Sequence, residues 1–166
     1  MIMTHVVLPG TYDPVTLGHM DVIRRATKLF PHVTVGVAAS RGKRGVGTMF
    51  SLEERVDLMR CALNEAGLER VDVRPFEGLL VDFCKEVGAH AVVKGLRTAT
   101  DFEYELTQAD LNARLAPDLE SVFIMANPSL GCISSSVVRE LSLFGASVDD
   151  LVPANVARRL KERCNA

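Results

Sequence analysis

At 166 residues the chain has the length of a single domain, 1–166, large enough to bury a sizeable core. With 48% hydrophobic residues, 24% charged residues and a formal net charge of −2, it lacks the basic surplus of a nucleic-acid or membrane-surface binder, so neither partner is expected. The charge is uneven: residues 1–60 carry eight Lys/Arg against five Asp/Glu, while residues 61–166 carry eleven against sixteen.

The apolar run His5–Pro9 is predicted to be a buried strand. It leads into Gly10-Thr11-Tyr12-Asp13-Pro14-Val15-Thr16-Leu17-Gly18-His19, a turn punctuated by Gly and Pro, and then into an amphipathic stretch predicted to be helical over 19–30. Amides at a helix start attract anions, and a nearby imidazole can donate to a phosphate oxygen. A second strand is predicted at Val33–Ala38, followed by the basic loop Arg41-Gly42-Lys43-Arg44-Gly45-Val46-Gly47. That loop is either solvated or a mobile cation set that closes over phosphates. It is not a Walker A motif, which would need Gly at 37 and Ser or Thr at 44, where Val37 and Arg44 stand.

Helix 51–66 is the best specified. Ser51 and Glu54 form an S-x-x-E capping box, Leu52, Val56, Met59 and Leu63 make an apolar stripe, and Gly67 supplies the stop. A strand follows at Arg70–Arg74, a helix at 79–87 and a strand at Ala91–Lys94. Lys94-Gly95-Leu96-Arg97 then joins a close-approach glycine to a planar fork suited to phosphate. Helix 101–115 opens on Asp101, Glu103 and Glu105; the first two complement the helix dipole, and Glu105 could face a nucleotide. After a strand at Ser121–Met125, Ser134, Ser135 and Ser136 start a helix over 135–144, one as N-cap and together as an anion cradle. Pro153 opens the last helix, 153–164.

Short apolar strands alternating with helices predict an α/β fold, a Rossmann-like doubly wound parallel five-stranded sheet with helices on both faces. Ligands of such sheets bind beyond the carboxyl ends of the strands, and the chemical segments here follow strands one, two, four and five. Four widely spaced cysteines without a CxxC pair, no visible signal peptide and no apolar run of membrane-spanning length lead to the expectation of a reduced, cytoplasmic setting. The scattered histidines match no metal-ligand spacing, and no metal-binding residues are expected.

Gly10-Thr11-Tyr12-Asp13-Pro14 with Thr16-x-Gly18-His19, and Ile133-Ser134-Ser135-Ser136-Val137, resemble the nucleotidylyltransferase superfamily. Lys94-Gly95-Leu96-Arg97 followed by Asp101-Phe102-Glu103-Tyr104-Glu105 narrows the resemblance to the phosphopantetheine adenylyltransferases, from the first strand to the last helix. The resemblance implies transfer of AMP from ATP to 4′-phosphopantetheine, giving dephospho-coenzyme A and pyrophosphate, a late step of coenzyme A biosynthesis. It implies that His19, Lys43 and Arg97 carry the catalysis, with His19 binding ATP phosphate and stabilising the transition state and Thr11 touching both substrates. Lys43 and Lys94 would hold the phosphopantetheine phosphate and Leu80 would line the pantetheine arm. Tyr12, Gly95, Leu96, Arg97, Glu105 and the segment Leu130, Gly131, Cys132, Ile133, Ser134, Ser135 and Ser136 would form the ATP pocket. Magnesium as cofactor and a homohexamer are implied as well. The chain departs from the family pattern in having Tyr12 for Phe, a longer loop over Gly42–Thr48, and Leu130-Gly131-Cys132 in place of a stretch that usually contains an aromatic residue. Sister enzymes acting on nicotinate mononucleotide or making CDP-glycerol share the Gly-His and serine elements, but Gly-Leu-Arg with Phe-Glu-Tyr-Glu speaks against them. A non-catalytic nucleotide-binding regulator is the alternative from another class.

Overall fold

A computed structural model describes residues 4–39 and 48–164. Its elements alternate along the chain: β1 (His5–Gly10), α1 (Leu17–Leu29), β2 (His32–Ala38), α2 (Leu52–Glu65), β3 (Asp72–Phe76), α3 (Leu80–Val87), β4 (Ala91–Leu96), α4 (Ala99–Leu115), β5 (Glu120–Met125), α5 (Ser135–Leu143) and α6 (Ala154–Cys164), with a 3-10 turn at Pro128–Leu130. The five strands form one parallel sheet in the order β3-β2-β1-β4-β5. The chain builds outward from β1 to β3 and then returns to the other side of β1 for β4 and β5. The switch point therefore lies between β1 and β4.

Side chains alternate across each strand, so a parallel sheet must be covered on both faces. Val6 and Leu8 of β1 pack with Ile23 and Ala26 of α1, Met59 of α2, and Val156 of α6 in the larger apolar cluster. Val7, one residue out of phase, points the other way and joins Val81, Phe83 and Cys84 of α3. This is the expected Rossmann-like, doubly wound arrangement.

Several boundaries move from their predicted places for local reasons. α1 begins at Leu17 rather than 19, because Thr16 is the N-cap and His19 is already the third helical residue. β3 covers 72–76 instead of 70–74, since Val71 is drawn into a turn by its N–H bond to the Leu68 carbonyl (3.1 Å). Pro75 is tolerated in β3 because that strand forms the edge of the sheet. β4 runs on through Gly95 and Leu96, pairing with Ile124 and Met125. The α2 capping box forms in both directions: Ser51 Oγ accepts from the Glu54 amide at 3.2 Å and Glu54 accepts from the Ser51 amide at 2.9 Å.

Candidate active site

A cleft of about 550 Å³ opens at the carboxyl ends of β1 and β4, at the switch point where an open α/β sheet binds its ligands. Its floor is close-packed backbone. A methyl group on Gly95 would sit 2.8 Å from Val22 Cγ2, and one on Gly10 would meet the Tyr12 ring at 2.9 Å, so only glycine fits at either place.

Of the residues singled out in the sequence, Tyr12 and His19 reach the cleft from the first motif, and Lys94, Gly95, Arg97 and Glu105 from the β4–α4 segment. Leu130, Ile133, Ser134 and Ser135 complete it from the β5–α5 segment. The wall does not include Thr11, Leu96, Gly131, Cys132 or Ser136. Leu96 is buried in the fold, and its carbonyl accepts from the Ala126 amide at 2.7 Å. Thr11 and Cys132 are exposed, and Ser136 accepts from Arg139 at 3.3 Å. Leu80 lines a second groove of about 270 Å³, which shares Lys94, Tyr104 and Glu105 with the main cleft. Arg41, Lys43 and Arg44 lie outside the described residues.

His19 occupies the third position of α1, and its side chain closes a capping box with Thr16. The Thr16 amide donates to His19 Nδ1 at 3.0 Å, so in the neutral ring the proton sits on Nε2. Burial, followed by the nearby positive charge of Arg97, lowers the pKa from 6.5 to about 4. The ring is therefore a neutral hydrogen-bond donor at physiological pH. The Tyr12 ring meets it edge-on at 5.0 Å. Tyr12 itself is held at φ +50° with its phenol donating to the Leu8 carbonyl at 3.0 Å, and burial pushes that phenol's pKa up.

Arg97 follows β4 directly. Asp101 takes its side-on edge, with Nε to Oδ2 at 3.1 Å and Nη2 to Oδ1 at 3.2 Å, while Nη1 donates to the Ile133 carbonyl at 3.1 Å. Lys94 pairs with Glu105 at 3.2 Å where the cleft and the groove meet. Ser134 caps α5 by accepting from the Val137 amide, and Ser135 donates to the Pro14 carbonyl at 2.8 Å. One serine is thus committed to the helix and another to the first motif.

Three supporting residues escaped the sequence reading. Asp13, 3% exposed, accepts from the Met49 and Phe50 amides at 2.8 and 3.0 Å. Arg139 donates to the Asp13 carbonyl and pairs with its carboxylate at 3.7 Å. Arg55, 2% exposed, donates to the carbonyls of Thr11, Ala38 and Phe50, tying the ends of β1 and β2 to the start of α2. Burial lowers its pKa, and Asp13 opposes that shift. The one legible signal was an arginine on the apolar stripe of α2, between Leu52 and Val56. A buried charge on such a stripe must be satisfied by hydrogen bonds, and here carbonyls supply them.

Cys84 lies in the core, where burial pushes its thiol up to about 11. Among the described residues no helix is long and apolar enough to cross a membrane.

Comparison with known proteins points the same way as the geometry. A family model for cytidylyltransferase-like proteins matches residues 7–141. A curated phosphopantetheine adenylyltransferase from Moorella thermoacetica is 46% identical over 157 residues, covering 95% of each chain. Among solved structures, a bifunctional NMN adenylyltransferase/ADP ribose pyrophosphatase from Francisella tularensis superposes with a TM-score of 0.76 over 99% of this chain at 16% identity. The chain spans about half (51%) of that protein. A lipopolysaccharide core biosynthesis protein from Thermoplasma volcanium gives a TM-score of 0.56 at 22% identity, over 76% of this chain and 99% of its own. At these identities the two structures speak for the fold alone.

Proposed function

The chain belongs to the phosphopantetheine adenylyltransferase family of cytidylyltransferase-like proteins, and on that premise we propose that the main cleft takes ATP and the adjoining groove takes the arm of 4′-phosphopantetheine. It is a nucleotidyltransferase, moving AMP from ATP to 4′-phosphopantetheine with release of dephospho-coenzyme A and pyrophosphate. The observation that carries the site reading is the junction of two cavities at Lys94 and Glu105, a pair that each substrate would meet from its own side.

In this reading a phosphate oxygen of the acceptor attacks the α-phosphorus of ATP in line, and pyrophosphate leaves with the bonding electrons. The attacking oxygen is already anionic, so no base and no covalent enzyme intermediate are needed. The task is to align two mutually repelling polyanions and to neutralise developing charge. His19 Nε2–H donates to the phosphates without a charge that must be stripped of water. Arg97 lines the same cleft with Ser134 and Ser135 at the start of α5, and its guanidinium would stabilise the departing negative charge. Lys94 and Lys43 hold the acceptor phosphate, and Leu80 packs against the pantetheine arm. Tyr12, Gly95, Glu105, Leu130, Ile133, Ser134 and Ser135 complete the binding surface.

Among the described residues no cluster of three or more His, Cys, Asp or Glu could cage a metal. A magnesium ion would be carried in on the substrate phosphates, where it would supply charge neutralisation. The domain would act in the cytoplasm and assemble as a homohexamer. α4 supports assembly: none of its 17 residues is buried, and Phe102, Leu106, Leu111 and Leu115 are exposed.

Pyrophosphate release from ATP with magnesium, measured with and without 4′-phosphopantetheine, tests the assignment. Release that depends on the acceptor and matches dephospho-coenzyme A in amount is expected. Activity with nicotinate mononucleotide instead would move the protein to a sister activity.

A further inference from the structure

We propose that Asp101 is a positioning residue for the transfer, holding Arg97 by its side-on edge so that the remaining N–H groups of the guanidinium meet the ATP phosphates. The inference rests on the reading of the cleft as the ATP site.

Asp101 stands at the third position of α4, where a carboxylate ordinarily bonds back to the N-cap amide. It does not do so here. Thr98 caps the helix by accepting from the Asp101 amide at 3.1 Å, while the Asp101 carboxylate passes over Thr98 to the residue before it. Oδ2 takes both the backbone amide and Nε of Arg97, each at 3.1 Å, and Oδ1 takes Nη2 at 3.2 Å. The backbone and the side chain of Arg97 are thus tied to one carboxylate.

Nη1 is anchored in turn on the Ile133 carbonyl, across the cleft on the β5–α5 segment. A guanidinium has five N–H groups. Among the described residues three are engaged, by Asp101 and Ile133, which leaves one on Nη1 and one on Nη2 for a ligand. The Nη2 N–H lies at the end of the fork, away from the edge that Asp101 takes, where an arginine meets a phosphate oxygen. A free arginine would lose much of its rotamer freedom on taking that pose, whereas the clamp has fixed it beforehand.

Electrostatics separates this role from plain ligand binding. Asp101 lines the same cleft, so its charge repels a polyphosphate. The carboxylate weakens ground-state attraction while fixing the donor where charge develops, so its removal should divide the kinetic constants.

The test is a double-mutant cycle on the full chain with magnesium, ATP and 4′-phosphopantetheine, reading kcat and the calorimetric ATP Kd for wild type, Asp101→Asn, Arg97→Ala and the pair. Asp101→Asn should lower kcat about tenfold while ATP binds as tightly as before or more tightly. In the Arg97→Ala background the same change should alter kcat less than about twofold. Equal losses in the two backgrounds, or weaker ATP binding with kcat intact, would overturn the proposal. Thr98→Ala controls for helix stability, because it removes the α4 cap and spares the clamp. It should lower the melting temperature and leave kcat unchanged, and a kcat loss matching that of Asp101→Asn would also overturn the proposal. Wild-type protein that releases no acceptor-dependent pyrophosphate would instead overturn the reaction assigned above.

Discussion

His19 shows how much one residue draws from its neighbours. Thr16 and His19 stand at the spacing of a capping box, with imidazole in the place usually taken by Glu or Gln, so one amide bond both starts α1 and sets the tautomer of the ring. His19→Ala should lower turnover about a hundredfold and weaken ATP binding far less, because the Nε2–H counts most where charge develops. Steady-state kinetics beside calorimetry checks this, and near-normal turnover would remove His19 from the mechanism. The pKa adds a second readout on the same group. The folded ring titrates at about 4 and the unfolded ring near 6.5, so between those values the unfolded chain binds more protons. The stability that His19 contributes is complete above pH 6.5 and is lost as pH falls toward 4. In the free protein its ring resonances should hold still from pH 8 to 5 in an NMR titration, and a midpoint near 6.5 would contradict the buried, neutral donor.

At the scale of elements, the cleft exists because β4 and α1 approach more closely than side chains normally allow. Gly95 faces Val22, whose branched side chain is stiff and buried. Gly95→Ala should therefore cost about 1–3 kcal/mol through overpacking. Adding Val22→Ala should recover part of that loss, so that the pair destabilises less than the sum of the single changes in urea denaturation. Strict additivity would mean that the contact is not the cause. The sequence marked Gly95 as a place of close approach, but not what approaches it, because Val22 lies 73 residues away and meets it only through the crossover to β4. Arg55 teaches the same lesson. Its place on an apolar stripe was visible, whereas its three carbonyl partners come from three separate segments.

For the whole molecule, the unburied apolar surface of α4 is the main feature that a lone chain leaves unexplained. If copies cover it, Phe102→Glu with Leu106→Glu, clear of the groove that Leu80 lines, should weaken the assembly in sedimentation, since burying two carboxylates without partners opposes association. An unchanged assembly would place the contacts elsewhere. By itself the sequence determined the alternation of elements, the doubly wound parallel sheet, the α2 cap and the family, because these depend on local periodicity, turn chemistry and contiguous motifs. The tertiary structure alone decided which motif residues share a cleft. Tyr12, His19, Arg97 and Ser134 converge there, while Leu96 turns into the fold and Leu80 lines a separate groove. Adjacent residues on a strand point to opposite faces, and the crossover from β3 to β4 sets β1 beside β4. Neither consequence can be read from a motif without the sheet that orders it.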